Sequence, residues 1–370
     1  MVEPGDLVHV ETNDCFHGKI RPETTQAGTY VNGSILDSLP TKFRNPVTGP
    51  IFVKGAQPGD ILAISLLDIR PKGVGVACCG SWGGQLSCWM TKNSATLKFF
   101  DLSNGGSIVT MREEEENGDG SNMYCQPLRS GSMPPRIKQK RLGPISFEAS
   151  PMLGVIGVAP EKDNDPIGTM PAGKHGGNLD DPCNGIGATI YIPIHHEGGL
   201  FSIGDMHASQ GDGEIAGSGI EIGGDVLLKC AILKHKDLYN SDHGDKQQHN
   251  QNNETEELDE LDVSLLQLEY PLTETPTHWI THGVTVCDIP QTTSIACQEA
   301  AKILIGQWGF TKEEAFCFLS VRGNLGLCQA CHPDKGTQIA KMSVPKLENL
   351  CPRPFRAQLL ESESHMDGLG

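Results

Sequence analysis

Short runs of alternating or clustered apolar residues recur along the chain between turn-forming residues. Residues 6–11 and 60–69 are the first, each introduced by a Pro-Gly-Asp triplet, Pro4-Gly5-Asp6 and Pro58-Gly59-Asp60. Period-two alternation of β-branched and aliphatic side chains bounded by such signals predicts short strands. The same texture returns at residues 188–196, 199–203, 215–222 and 226–233. Helical spacing comes only late. Ile295, Ala296, Ala300, Ile303 and Leu304 predict a helix over 295–308, ended by Gly306 or Gly309. Thr311-Lys-Glu-Glu314 then has the form of a capping box ahead of apolar residues 315–319. The pattern predicts a mainly β fold of packed or barrel-like antiparallel sheets, with a small α/β portion at 264–350. No short-period repeat points to a propeller or solenoid.

Two stretches interrupt this texture. Residues 102–145 include an acidic run at 113–116 and a Gly/Ser/Pro-rich segment, and residues 238–263 hold Gln247–Asn253 followed by Glu254-Thr-Glu-Glu257. Neither can bury much apolar surface, so both read as surface segments. The 44 glycines and 24 prolines argue against a helical bundle. A formal net charge of −17 repels nucleic acid and anionic membrane surfaces, and leaves a small neutral substrate unaffected. The one basic cluster, at 136–141, reads as a counterweight to the acidic run. The first residues lack a basic and then apolar leader, and no apolar stretch reaches membrane-spanning length, so the expectation is a cytoplasmic protein. Thirteen cysteines, an odd count, are expected as reduced thiols, mostly packed in the core.

The densest chemistry lies in Gly204-Asp-Met-His-Ala-Ser-Gln-Gly-Asp-Gly-Glu214, with three carboxylates, an imidazole, a hydroxyl and an amide. In a strand, Asp205 and His207 share a face, as do Asp212 and Glu214 if a strand resumes after the turn. Carboxylate oxygen and imidazole nitrogen suit zinc or a similar divalent ion, and a carboxylate outside the coordination shell can take a proton from bound water. Gly211 and Gly213 permit a sharp turn or close approach to a ligand. The plainer reading is a solvated loop whose Asp and Gly residues serve turn geometry. A single Asp-Gly pair would favour it; eleven such residues in a row do not.

This string resembles the signature of the acetamidase/formamidase family of amide hydrolases. Flanking segments follow the family's order: Pro4-Gly5-Asp6 with Glu11-Thr12-Asn13-Asp14, Thr48-Gly49-Pro50-Ile51, Gly55-Ala56-Gln57-Pro58-Gly59-Asp60, residues 153–160, and His175-Gly176-Gly177-Asn178-Leu179-Asp180. One departure stands near the C-terminus, where the family's Ser-x-x-Gly-Asp is Ser320-Val321-Arg322-Gly323-Asn324. The resemblance implies that residues 102–145 and 238–263 are insertions in a single domain spanning 1–350, with 351–370 as a tail. It also implies a homo-oligomeric hydrolase of small carboxamides that uses a divalent metal, with zinc the leading ion. Asp14, His175, Asp205 and His207 are the expected ligands, with Asp180 in reserve or on the substrate. Glu214 is the expected general base, and Asp212 is expected to orient it or to hold the substrate amine. Backbone amides at Gly211 and Gly213 are placed for a developing oxyanion.

Other motifs are weaker. His195-His196-Glu197 places its imidazoles on opposite strand faces, so neither is expected to bind the metal directly. Cys328-Gln-Ala-Cys331-His332 fits haem attachment or a redox or zinc pair in form, but the resemblance implies a strand there, and buried or partly buried thiols are the expectation. No Gly-x-Ser-x-Gly elbow and no phosphate-binding loop is present. Two alternatives stay open: a non-catalytic β-scaffold that retains the metal motif, with Asn324 as its hint, and hydrolysis of another amide-like C–N bond.

Overall fold

The computed structural model describes residues 1–23, 44–81, 83–90, 95–112, 144–161, 167–234, 268–331 and 336–347. Its strands are β1 (Leu7–Thr12), β2 (Val47–Ile51), β3 (Ile61–Gly80), β4 (Ala95–Ser103), β5 (Ile108–Met111), β6 (Ile145–Glu148), β7 (Met152–Gly157), β8 (Ala172–Gly173), β9 (Gly176–Asn178), β10 (Thr189–Pro193), β11 (Phe201–His207) and β12 (Glu221–Leu233). Then follow β13 (Leu272–Glu274), β14 (His278–Val286), the helices α1 (Ile289–Trp308) and α2 (Lys312–Arg322), β15 (Asn324–Gln329) and β16 (Thr337–Pro345). The fold is mostly β, a curled antiparallel sheet with two helices near the C-terminus, as the pattern predicts.

The long strand β3 organises the sheet. It pairs with β10 through residues 61–65, with β12 along most of its length, and with β4 through residues 74–80. Irregularities opposite Leu227 and Glu221 break the β3–β12 register, and such bulges bend a strand, which lets one ribbon serve two parts of the sheet. Beyond β12 the order runs β11, β7, β9, β8; beyond β10 it runs β13, β14, β16, β15. The predicted α/β portion is therefore a continuation of the main sheet.

The main core packs side chains of β3, β7, β10, β11 and β12, and all six residues of β7 are buried. A second core lies where α1 covers β14 and β16, with Ala296, Ala300 and Leu304 fully enclosed against Ala340 and Val344. The helix begins six residues before the predicted start. Asp288 caps it by accepting from the Gln291 N–H at 2.9 Å, and Pro290 fits the first turn, where its missing N–H costs nothing. Gly309, at φ 67°, ends it. The capping box at Thr311 and Glu314 forms in full. Part of the expected first insertion is ordered sheet: β5 pairs with β4 and β6. Residues 113–143, the stretch 238–263, the basic cluster and the tail lie outside the described residues.

The eleven described cysteines are all unpaired thiols, five of them buried, which is fewer core thiols than expected. Cys328 and Cys331 are among the buried ones. Among the described residues, no helix is long and apolar enough to cross a membrane.

Candidate metal centre

The signature string straddles the end of β11. Asp205 and His207 both lie in this strand and are buried, and Asp205 Oδ1 stands 3.6 Å from His207 Nε2, so the shared face predicted from alternation is present. Asp205 is itself at φ 53°, in the left-handed region. It interrupts the regular pairing between Gly204↔Val155 and Met206↔Leu153, opposite Gly154 of β7. A Cβ on Gly154 would sit 2.5 Å from Asp180 Oδ1 and 2.8 Å from Asp205 Oδ2, so only glycine lets these two carboxylates converge over β7.

Across the sheet, His207 is in direct register with Glu221, the first residue of β12. Its Nε2 is 3.0 Å from Glu221 Oε2. Asp180 follows β9, also with a left-handed backbone (φ 45°), and Glu214 follows the β11 turn at φ 42°. Three non-glycine residues of one buried cluster thus hold a conformation that costs on the order of 1 kcal/mol or more each, a concentration of strain typical of functional sites.

Each prospective ligand has one polar atom tied to the protein and one left over. Asp180 Oδ2 accepts from Asn178 Nδ2 at 2.8 Å and from Gln329 Nε2. Asp205 Oδ2 accepts from Asn45 Nδ2 at 2.9 Å. Glu221 Oε1 accepts from Gly219 N–H at 3.1 Å and Ser218 Oγ–H at 3.2 Å. His207 Nδ1 meets Gln210 Oε1 at 2.7 Å. Of the remaining atoms, all buried, Asp180 Oδ1 and Asp205 Oδ1 make no hydrogen bond among the described residues, while His207 Nε2 and Glu221 Oε2 face each other at 3.0 Å as an ion pair. Asp180, Asp205 and His207 each bring a ligand atom within 4.8 Å of the others, and so do His207, Glu214 and Glu221. Buried polar atoms left unsatisfied are costly, and two ligand groups that share His207 fit a divalent cation.

The electrostatics agree. Burial raises Asp180 well above the usual carboxylate range, with Glu214 and Asp205 adding to the shift. Burial, with Glu221 next, pushes Asp205 up to about 6. Burial alone would lower His207, but Glu221 and Asp205 outweigh it and hold the imidazole proton tightly. Glu221 is opposed by burial, yet His207 brings it below its ordinary value. Glu214 is pushed up to about 8, mainly by burial. Its Oε2 accepts from Gln329 Nε2 at 3.3 Å and lies 3.8 Å from the Cys331 thiol.

The predicted site residues divide. Asp205, His207, Asp180 and Glu214 come together. Among the described residues, no group of three or more potential ligand atoms includes Asp14 or His175. Asp14 accepts from the Phe16 and Gly18 N–H groups and pairs with Arg21 at 3.0 Å, so its carboxylate organises its own loop. His175 sits in the tight connection between β8 and β9, where burial first and then His195 bring it down to about 4. Asp212 and Glu214 do not share a strand face, because turns follow β11; Asp212 is exposed and ion-paired to Lys341 at 2.6 Å. Gly213, at φ 87°, makes that turn, with its carbonyl accepting from Ala330 N–H. Gly211 accepts from the Glu214 N–H at 3.2 Å. His196 Nε2 is engaged by the Pro160 carbonyl, and both adjacent histidines are half-buried and outside the cluster. Asn324 is exposed at the start of β15, while Gln329, at its other end, reaches the cluster.

Glu221 was missed by sequence reasoning. A strand drawn over 215–222 hid its start, although a glutamate between Ile220 and Ile222 in an apolar strand is the signal of a buried, partnered carboxylate.

Comparison with known proteins bears on this centre. The sequence model of the Acetamidase/Formamidase family matches residues 1–165 and 163–325. A formamidase from Methylophilus methylotrophus is 26% identical over 269 residues, which cover 63% of this chain and 61% of that protein. An acetamidase from Mycolicibacterium smegmatis is 28% identical over 275 residues, 63% of each chain. The chain thus aligns with less than two thirds of the length of these curated relatives. The crystal structure of an acetamidase from Bacillus halodurans superposes with a TM-score of 0.67 at 28% identity, covering 93% of this chain and 90% of that one. With the family model reaching across most of the sequence and the signature string folded into a buried ligand cluster, this chain belongs to the acetamidase/formamidase family.

Proposed function

We propose that this protein hydrolyses small neutral carboxamides to a carboxylate and ammonia at a divalent-cation centre held by Asp180, Asp205, His207 and Glu221. The observation that supports it is the pair of buried ligand groups that share His207, Asp180 with Asp205 and Glu214 with Glu221, in which Asp180 Oδ1 and Asp205 Oδ1 are left unsatisfied. Zinc suits a mixed nitrogen and oxygen donor set, and once bound it would lower the pKa of a water and polarise the amide carbonyl. This ligand set keeps Asp205 and His207 from the sequence expectation, draws on Asp180 from reserve, adds Glu221, and leaves Asp14 and His175 outside the ligand shell.

Glu214 is the proton carrier in this reading. A carboxylate with a proton affinity near neutrality can take a proton from the attacking water and deliver it to the leaving nitrogen, which cannot depart as an amide anion. Gln329 holds Glu214 and Asp180 with one amide, fixing the base relative to a ligand. Asp212, tied to Lys341, holds the turn that carries Glu214. Backbone N–H groups at Gly211 and Gly213 are assigned to the developing oxyanion. A cytoplasmic homo-oligomer completes the reading, following the family's assembly.

The test is ammonia release from formamide and acetamide by purified protein, before and after chelation and zinc return. The reading expects turnover that chelation removes and zinc restores. Turnover unaffected by exhaustive chelation would refute the metal role, and zinc-loaded protein that releases no ammonia from a series of aliphatic amides would refute the activity.

A further inference from the structure

We infer that Gln210 is a positioning residue that fixes which nitrogen of His207 faces the centre, an inference that rests on the proposed cation site. The side-chain amide of Gln210 lies between two elements of that site. Its Nε2 donates to the Asp180 carbonyl at 2.6 Å and approaches the Cys328 carbonyl at 3.4 Å. Both partners are main-chain oxygens and can only accept, so the amide nitrogen must face them and the amide oxygen must face the other way. That oxygen, Oε1, is 2.7 Å from His207 Nδ1. A carbonyl oxygen cannot donate, so Nδ1 carries the hydrogen. The opposite nitrogen, Nε2, is thereby the one presented to Glu221 Oε2 at 3.0 Å and Asp205 Oδ1 at 3.6 Å.

The surroundings hold the imidazole closely. A Cβ on Gly219 would lie 2.5 Å from His207 Nδ1 and 2.7 Å from Cγ, so the Gly219 backbone backs the ring on the Gln210 side. Gly219 N–H in turn donates to Glu221 Oε1, joining the support of the ring to that of the carboxylate opposite it. Gln210 thus links two prospective ligands: it sets the His207 ring through its oxygen and the Asp180 main chain through its nitrogen. In metal sites, a partner that fixes tautomer and ring orientation raises ligand basicity, and its loss costs roughly 10–100-fold in metal affinity or activity.

The two halves of the amide are separable by substitution. Gln210→Ala removes acceptor and donor together; Gln210→Glu keeps an acceptor for Nδ1–H and removes the donor to Asp180. Zinc affinity of the full chain is measured by competition with a chromogenic chelator, with circular dichroism as a check on folding. The expected result is a fall of about 10–100-fold for Gln210→Ala, with Gln210→Glu within about threefold of the parent. In the parent loaded with zinc and labelled with 15N at its histidines, NMR is expected to show His207 protonated at Nδ1 and metal-bound through Nε2; this reading stands even if a variant fails to fold.

Three results overturn the inference. Parent-like zinc affinity in Gln210→Ala removes the role. A loss in Gln210→Glu as deep as in Gln210→Ala assigns the effect to the Asp180 contact instead of the imidazole. Coordination through Nδ1 reverses the assigned tautomer. Failure of the parent to take up zinc at all would overturn the cation site itself, and is distinguishable because it precedes any comparison of variants.

Discussion

Zinc added to metal-free protein at pH 7 is predicted to expel about two protons per ion from its four ligands, besides the one that Glu214 gives up to become a base. The figure follows from the cluster's charges. Glu221 is ionised, because His207 holds it below its ordinary value, and Asp205, at about 6, is mostly ionised. His207 keeps its proton, since Glu221 and Asp205 outweigh the effect of burial. Burial and its acidic neighbours raise Asp180 well above the usual carboxylate range, which favours its protonated form, and Glu214, at about 8, is mostly protonated without the ion. Two carboxylates and one imidazolium give a buried charge of about −1. When a dication takes the place of the protons on Asp180 and His207 Nε2, three carboxylates, a neutral imidazole and the ion again give about −1. The exchange leaves the summed charge of the ligands and ion unchanged, which avoids the large penalty of adding net charge to a dry site. Titration calorimetry at pH 7 in two buffers of different ionisation enthalpy counts the protons directly. Asp180→Asn should reduce the count by about one. Release of less than about half a proton per zinc in the parent would refute the reasoning, because ligands already deprotonated have nothing to exchange.

Glu214→Gln should lower kcat by about 10²–10⁴-fold with zinc content unchanged, and parent-like ammonia release would remove Glu214 as the base. Gly154→Ala drives a methyl into Asp180 and Asp205, so zinc affinity should fall by roughly tenfold or more in a folded protein; unchanged affinity would contradict the convergence of these carboxylates. Asp181 accepts from His282 Nε2 at 2.8 Å and Lys341 Nζ at 3.0 Å, and these partners, outweighing burial, hold it well below its ordinary range. A carboxyl depressed in the folded state stabilises above its unfolded pKa and loses that contribution as pH falls. Asp181→Asn should therefore cost about 3 kcal/mol at pH 7, keep most of that cost at about pH 3 and lose it only as pH falls towards the depressed folded value, so urea unfolding in which the cost has already vanished by about pH 4 would contradict the assignment. Thr311→Ala should lower stability by about 1 kcal/mol through the lost cap of α2; no change in the urea midpoint would show that the cap adds nothing.

What the sequence made legible follows the range of the interactions involved. The β1 strand, β10 and the capping box of α2 depend on residues within a few positions of one another, and each formed near its predicted place. The pairing of Asp205 with His207 was legible for the same reason, since a strand's alternation is local. Glu221 was not, because its partner lies fourteen positions away and is set by the β11–β12 register, while the turn at 212–218 occupies what alternation read as strand. The shared face of Asp212 and Glu214 failed on the same turn, where Glu214 adopts a left-handed backbone that no strand pattern announces. His175 stands outside the ligand groups because the glycines around it shape a tight hairpin, which turns its ring toward Gly173 and Gly177. The departure at Asn324 looked consequential in a one-dimensional motif; in three dimensions it lies at the exposed start of β15.

The central claim is that Asp180, Asp205, His207 and Glu221 enclose one cation beside Glu214. Anomalous diffraction at the zinc edge from crystals of the zinc-loaded protein tests it most directly. The account predicts a single strong peak bounded by Asp180 Oδ1, Asp205 Oδ1, His207 Nε2 and Glu221 Oε2. A peak at Asp14 or His175, or no peak among these four atoms in protein that demonstrably carries zinc, would contradict it.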